Sequence, residues 1–170
     1  MRKRLAPIEY KSGEKVLIYG IGNVGRQDDG LGIRLVEKLE EKIESSILES
    51  LLCLEYNYQL SIEDALLISE FDVVLFVDAA REVNPCAPFS LRPLRASGEL
   101  AFTTHAMSFS SVLSLCEELY ARKPRTFLIA IPGYEWEIAE NLSHGAGKNL
   151  DSTLESLSEV LAEVECMNSH

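Results

Sequence analysis

Uninterrupted apolar runs alternate along this chain with segments whose apolar residues recur every three or four positions. Val16-Leu17-Ile18-Tyr19 is one such run and ends in glycines, the pattern of a strand buried on both faces of a parallel sheet. Val73-Val74-Leu75-Phe76-Val77 is another and stops abruptly at Asp78; Thr126 to Ile131 is closed by Pro132-Gly133. A further strand is predicted around Ser50 to Glu55. Phe89 to Leu94 alternates apolar and polar residues among prolines, which predicts an antiparallel edge strand.

The helical segments lie between these runs. From Asp28-Asp29-Gly30 onward, Leu35, Val36, Leu39 and Ile43 share one face while Arg34, Glu37, Lys38 and Glu41 share the other, with the acidic pair at the positive end of the dipole. Ser61, with Asp64 three positions on, marks the start of a short helix. Ser108 to Tyr120 reads as a helix turning Val112, Leu115, Cys116 and Leu119 inward. A last helix is expected from Asp151 or Ser152, packing through Leu154, Leu157, Leu161 and Val164. Strands alternating with helices predict an α/β fold: a three-layer α/β/α sandwich with a mostly parallel five-stranded sheet and one antiparallel edge strand.

A length of 170 residues suits one domain, 1–170, with a tail over 1–14, the α/β body over 15–165 and a second tail over 166–170. The apolar runs are too short to cross a bilayer, and Ala6 to Glu14 lacks the apolar core of a secretory signal. A net charge of −11 argues against a nucleic-acid partner, because such affinity rests on Lys and Arg neutralising phosphates. Cys53, Cys86, Cys116 and Cys166 are scattered, which suits reduced thiols, with Cys53 and Cys116 in the core. A cytoplasmic monomer is expected.

In open α/β sheets, ligands bind beyond the carboxyl ends of the strands. Asn23, Asp28 and Asp29 follow the first apolar strand, Asp78 follows Val77, and His105 stands in the loop before a helix. Two aspartates and an imidazole form a mixed oxygen and nitrogen set suited to Zn, Ni, Mn or Fe. Asp29, Asp78 and His105 are therefore the candidate catalytic and metal-binding residues. Each also has a plain structural alternative, as a helix cap, a turn cap or a partly buried polar group. His144, in a glycine-rich stretch, is a candidate substrate-loop residue. A non-catalytic module that senses a metal-loaded partner is a rival use of the same set.

Gly20, Gly22 and Gly25 also match a dinucleotide fingerprint, the signature of an oxidoreductase. Against it, Asp28 and Asp29 occupy the expected helix start, where they would repel a pyrophosphate.

The full run Gly20-x-Gly22-Asn23-x-x-Arg26-x-Asp28-Asp29-Gly30-x-Gly32 resembles the signature of the nickel-iron hydrogenase maturation endopeptidases. Phe76-Val77-Asp78-Ala79 is similar to that family's second motif, and Thr104-His105 ahead of Ser108 to Leu115 to its histidine and following helix. Tyr58-Gln59-Leu60 resembles the glutamine-leucine variant of the stretch between them. The resemblance implies a metal-dependent endopeptidase that removes the C-terminal extension of a nickel-loaded hydrogenase large-subunit precursor. It further implies that Asp29, Asp78 and His105 contact a divalent metal, nickel carried by the substrate, for which Zn or Cd can substitute. Asn23, Asp28, Gln59 and His144 are then candidate substrate contacts. The chain departs from the family at Tyr56-Asn57, where His is common, at Gly25-Arg26, and at Asp29, where Glu is also common.

Overall fold

The structure, a computed structural model, describes residues 8–43, 46–81, 86–97, 102–103 and 106–169. The elements run β1 (Val16–Ile21), a 3-10 turn (Gln27–Gly30), α1 (Leu31–Lys42), α2 (Ser46–Leu51), β2 (Leu52–Asn57), α3 (Asp64–Ser69) and β3 (Val73–Ala80). They continue with β4 (Ser90–Leu94), β5 (Phe102–Thr103), β6 (Ala106–Met107), α4 (Phe109–Tyr120), β7 (Arg125–Pro132) and α5 (His144–Asn168). Five strands form one sheet in the order β2-β1-β3-β7-β4, all parallel except β4, which pairs antiparallel with β7 at the edge. The predicted fold class is the observed one.

Strand alternation divides the core into two layers. Val16, Ile18, Val73, Leu75, Val77, Ile129 and Ile131 face α1 and α5, meeting Leu35, Leu39, Leu150, Leu154 and Leu157. Leu17, Tyr19, Val74, Phe76 and Leu128 face α3 and α4, meeting Ile68, Val112, Leu113 and Cys116. Burying each large aliphatic side chain is worth about 1.5–3 kcal/mol, so the apolar runs must lie at the centre of the sheet. Asp64 ties α3 to this layer: its carboxylate accepts from Ser61 N–H at 2.7 Å and from the Tyr19 hydroxyl at 2.7 Å.

Several local expectations change. β2 spans Leu52–Asn57 rather than Ser50 to Glu55, because α2 occupies the residues before it. Leu119 is exposed and Leu113 buried, since the inward stripe of α4 runs through Val112, Leu113 and Cys116 and the helix ends one turn later at left-handed Ala121. Cys116 is buried as expected, whereas Cys53 is only partly so, with Sγ 3.9 Å from Glu55 Oε1. The last helix starts at His144, not Asp151, because the Ser143 hydroxyl caps it by accepting from Ala146 N–H at 3.2 Å. It also runs to Asn168, whose side chain accepts from Gly13 N–H at 2.8 Å. Ile8 and Tyr10 pack on the α1/α5 core, so residues 8–14 are a packed strap rather than the expected tail.

Candidate active site

The glycines of the first motif have a packing purpose. A Cβ on Gly32, in the first turn of α1, would collide with the carbonyl oxygens of Ile21, the last residue of β1, and Val77, next to Asp78 in β3. Gly22 has φ 152°, in the region that favours glycine, and a Cβ there would meet the Asp29 carbonyl. Removing side chains at these points lets the start of α1 lie directly on the carboxyl ends of two central strands. That close approach sets Asp29, on the turn, near Asp78, on β3.

The two carboxyl groups feel each other. Burial pushes Asp78 up to about 6, and the charge of Asp29 adds to that rise against the pull of the Ala79 N–H, which donates to Asp78 Oδ1 at 2.8 Å. Burial likewise raises Asp29, opposed by the fields of Arg26 and Arg81. Two half-buried carboxylates that resist ionising together form a pair whose repulsion a cation would relieve. Their hard oxygen donors fit a divalent ion, so the residues present are compatible with the implied metal. Among the described residues no third His, Cys, Asp or Glu joins them in a metal-holding group. His105, the expected third ligand, lies outside the described residues.

Asp28 does something different from the substrate contact expected of it. It is fully buried and accepts from Tyr134 N–H at 2.7 Å, Glu135 N–H at 2.9 Å, Ser143 N–H at 2.8 Å and the Ser143 hydroxyl at 2.7 Å. Burial alone would raise it, but these bonds outweigh burial and hold it below the ordinary carboxylate value. With three of these bonds on Oδ2 and one on Oδ1, the fully buried Asp28 positions the 133–143 loop.

Nothing in the local residue pattern marks the role of Gln27. It takes a left-handed backbone, φ 46°, and its buried amide bridges to the same loop, donating to Glu135 Oε2 and accepting from Glu137 N–H, both at 2.9 Å. The loop thereby becomes a wall beside Asp29. Asn23 stays at the site, its N–H donating to the Asp29 carbonyl at 3.1 Å and its Oδ1 accepting from Gly25 N–H at 2.9 Å. Gln59 is half-buried in the loop after β2. His144 is exposed in the first turn of α5, not in a loop, and no hydrogen bond joins it to Asp29 or Asp78 among the described residues.

The dinucleotide reading fails on the same geometry. The helix begins at Leu31, beyond the acidic turn, and the amides of Gly22, Asn23 and Gly25 are spent on Asn57 O, Asp29 O and Asn23 Oδ1. No bare row of N–H groups remains there for a pyrophosphate.

The chain is thus an α/β protein with a mostly parallel five-stranded sheet and an acidic pair beyond the carboxyl ends of its central strands β1 and β3. No protein-family model and no curated protein matches the sequence. Among solved structures the chain is similar to the NiFe hydrogenase maturation protease HycI from Thermococcus kodakarensis, at 25% identity and TM-score 0.69, over 89% of this chain and 95% of that one. It is also similar to the hydrogenase maturating endopeptidase HybD from Escherichia coli, at 20% identity and TM-score 0.67, over 88% and 93% of the two chains. A hydrogenase 2 maturation peptidase from a Thaumarchaeota archaeon shares the fold at 19% identity and TM-score 0.62, over 87% and 98%. In fold the chain is similar to these nickel-iron hydrogenase maturation proteases over nearly its whole length.

Proposed function

We propose that this chain is an endopeptidase that removes the C-terminal extension from a nickel-loaded hydrogenase large-subunit precursor, with Asp29, Asp78 and His105 meeting the metal that the substrate carries. The observation that supports it is the Asp29–Asp78 pair, set at adjacent strand ends by glycine packing and short of donors. A cation arriving with the substrate would complete the cluster and make cleavage conditional on metal loading. Such an ion would polarise the scissile carbonyl or acidify a bound water, while the carboxylates orient that water and take up its proton. Asn23 and Gln59, at the ends of β1 and β2, would line the approach of the peptide. No helix among the described residues is long and apolar enough to span a membrane, and the reading places the reaction in the cytoplasm.

Mass spectrometry tests it. The purified chain is incubated with nickel-loaded and nickel-free precursor, and the expected result is a short C-terminal peptide released from the loaded form alone. Binding of the loaded precursor without release would favour a sensing module instead.

A further inference from the structure

Arg81 and Trp136 form a feature at the lip of this site that the cleavage chemistry does not use. The Arg81 guanidinium lies 4.2 Å over the centre of the Trp136 ring, and its field reaches Asp29. Among the described residues no carboxylate lies within ion-pair distance of it. An exposed arginine in a chain of net charge −11 would ordinarily find an acidic neighbour, so its seat on an indole needs a reason.

The wall that carries Trp136 is held unusually firmly for a surface loop. Asp28 accepts four hydrogen bonds from Tyr134, Glu135 and Ser143, and the Gln27 amide bonds Glu135 and Glu137. Gln27 N–H donates to Ala139 O at 2.7 Å, and Arg26 reaches Trp136 O at 3.4 Å. The left-handed backbone of Gln27 is the conformational cost of that bridge. Rigidity of this kind serves a binding surface, because a preorganised wall loses little freedom when a ligand docks.

We propose that Arg81, stacked on Trp136 and seconded by Arg26, is a subsite for a carboxylate of the substrate peptide beside the Asp29–Asp78 pair. Stacking occupies the face of a guanidinium and leaves its in-plane N–H groups free, and those match a carboxylate in bidentate geometry. The group recognised is an Asp or Glu side chain or a free C-terminal carboxylate. The proposal deepens the peptidase reading and rests on it for the identity of the ligand, but binding at the subsite is measurable without cleavage.

Trp136 is the sole tryptophan, so its emission reports on the stack directly. The purified chain is titrated, at fixed ionic strength, with acetyl-Ala-Asp-Ala-amide, acetyl-Ala-Asn-Ala-amide and acetyl-Ala-Ala-Ala bearing a free C-terminus. The expected result is a saturable change with at least one carboxylate peptide, about 10-fold or more tighter than with the Asn peptide. The responding peptide tells side-chain from terminal recognition. Arg81→Gln is expected to weaken that binding about 10-fold or more, and Arg81→Lys to restore part of it. An Asn-peptide response equal to that of the best carboxylate peptide, no response to either carboxylate peptide, or an unchanged response in Arg81→Gln would overturn the subsite. Saturable binding by a protein that cuts no precursor would sustain the subsite and remove the peptidase reading; cleavage without this binding would do the opposite.

Discussion

Asp28 and Asp29 follow one another in a single 3-10 turn and face opposite demands. Asp28 has four donors from the 133–143 loop and sits below its ordinary value despite complete burial. Asp29 sits above its ordinary value, with guanidinium fields but no ion pair at contact distance among the described residues, and with Asp78 as a like-charged neighbour. The same side chain thus serves as a fastener one step before it serves as a site. What separates the two is the supply of donors: a well-supplied carboxylate stabilises the fold, and an under-supplied one seeks a cation.

The comparison is sharpest in activity. Asp29→Asn or Asp78→Asn should lower peptide release from a nickel-loaded precursor by about 1,000-fold, the order seen when a group that stabilises the transition state is lost. Circular dichroism should show both variants folded. Asp28→Ala should instead act on stability: four donors lose their buried acceptor, at a cost of about 3 kcal/mol in urea unfolding. Because the native value of Asp28 is lowered, its contribution is present above the unfolded value of 3.8 and fades as pH falls through the native one.

Asp78 carries the opposite sign. Its native value of about 6 exceeds the ordinary 3.8, so between these values the folded protein holds the proton more tightly than the unfolded chain. Stability therefore falls as pH rises through that window, and the deficit persists above it. Asp78→Asn should gain about 2 kcal/mol in urea unfolding at pH 8, and the gain should vanish below pH of about 4. A gain in stability alongside lost activity would mark Asp78 as kept for chemistry. Gln27→Gly should have the smallest global effect, within about 1 kcal/mol, because relief of the left-handed backbone offsets two lost hydrogen bonds. Its signature should be local: acrylamide should quench Trp136 more readily as the wall loosens.

The sheet was legible because its central strands are buried on both faces, which leaves an unbroken apolar run such as Val73 to Val77. The edge strand β4 was legible through its alternation and Pro93. Asp29 and Asp78 could be proposed from their places after those runs, since parallel strands deliver their carboxyl ends to one edge. Two features were hidden for a common reason. The buried role of Asp28 and the bridge from Gln27 depend on contacts more than one hundred residues apart in the chain, of which local pattern carries no trace, whereas the start of α5 is a local cap, from Ala146 N–H to the Ser143 hydroxyl. The Leu119 error has a different origin: apolar spacing in α4 continues past the end of the surface it packs on.

The central claim is that Asp29 and Asp78 share one site, and a carboxyl-carbon NMR titration of Asp78 in the wild-type protein and in Asp29→Asn reads it most directly. The account predicts a midpoint near the value of about 6 in the wild type and a lower one once the charge of Asp29 is gone. An Asp78 midpoint near the ordinary 3.8 that is the same in both proteins would contradict it.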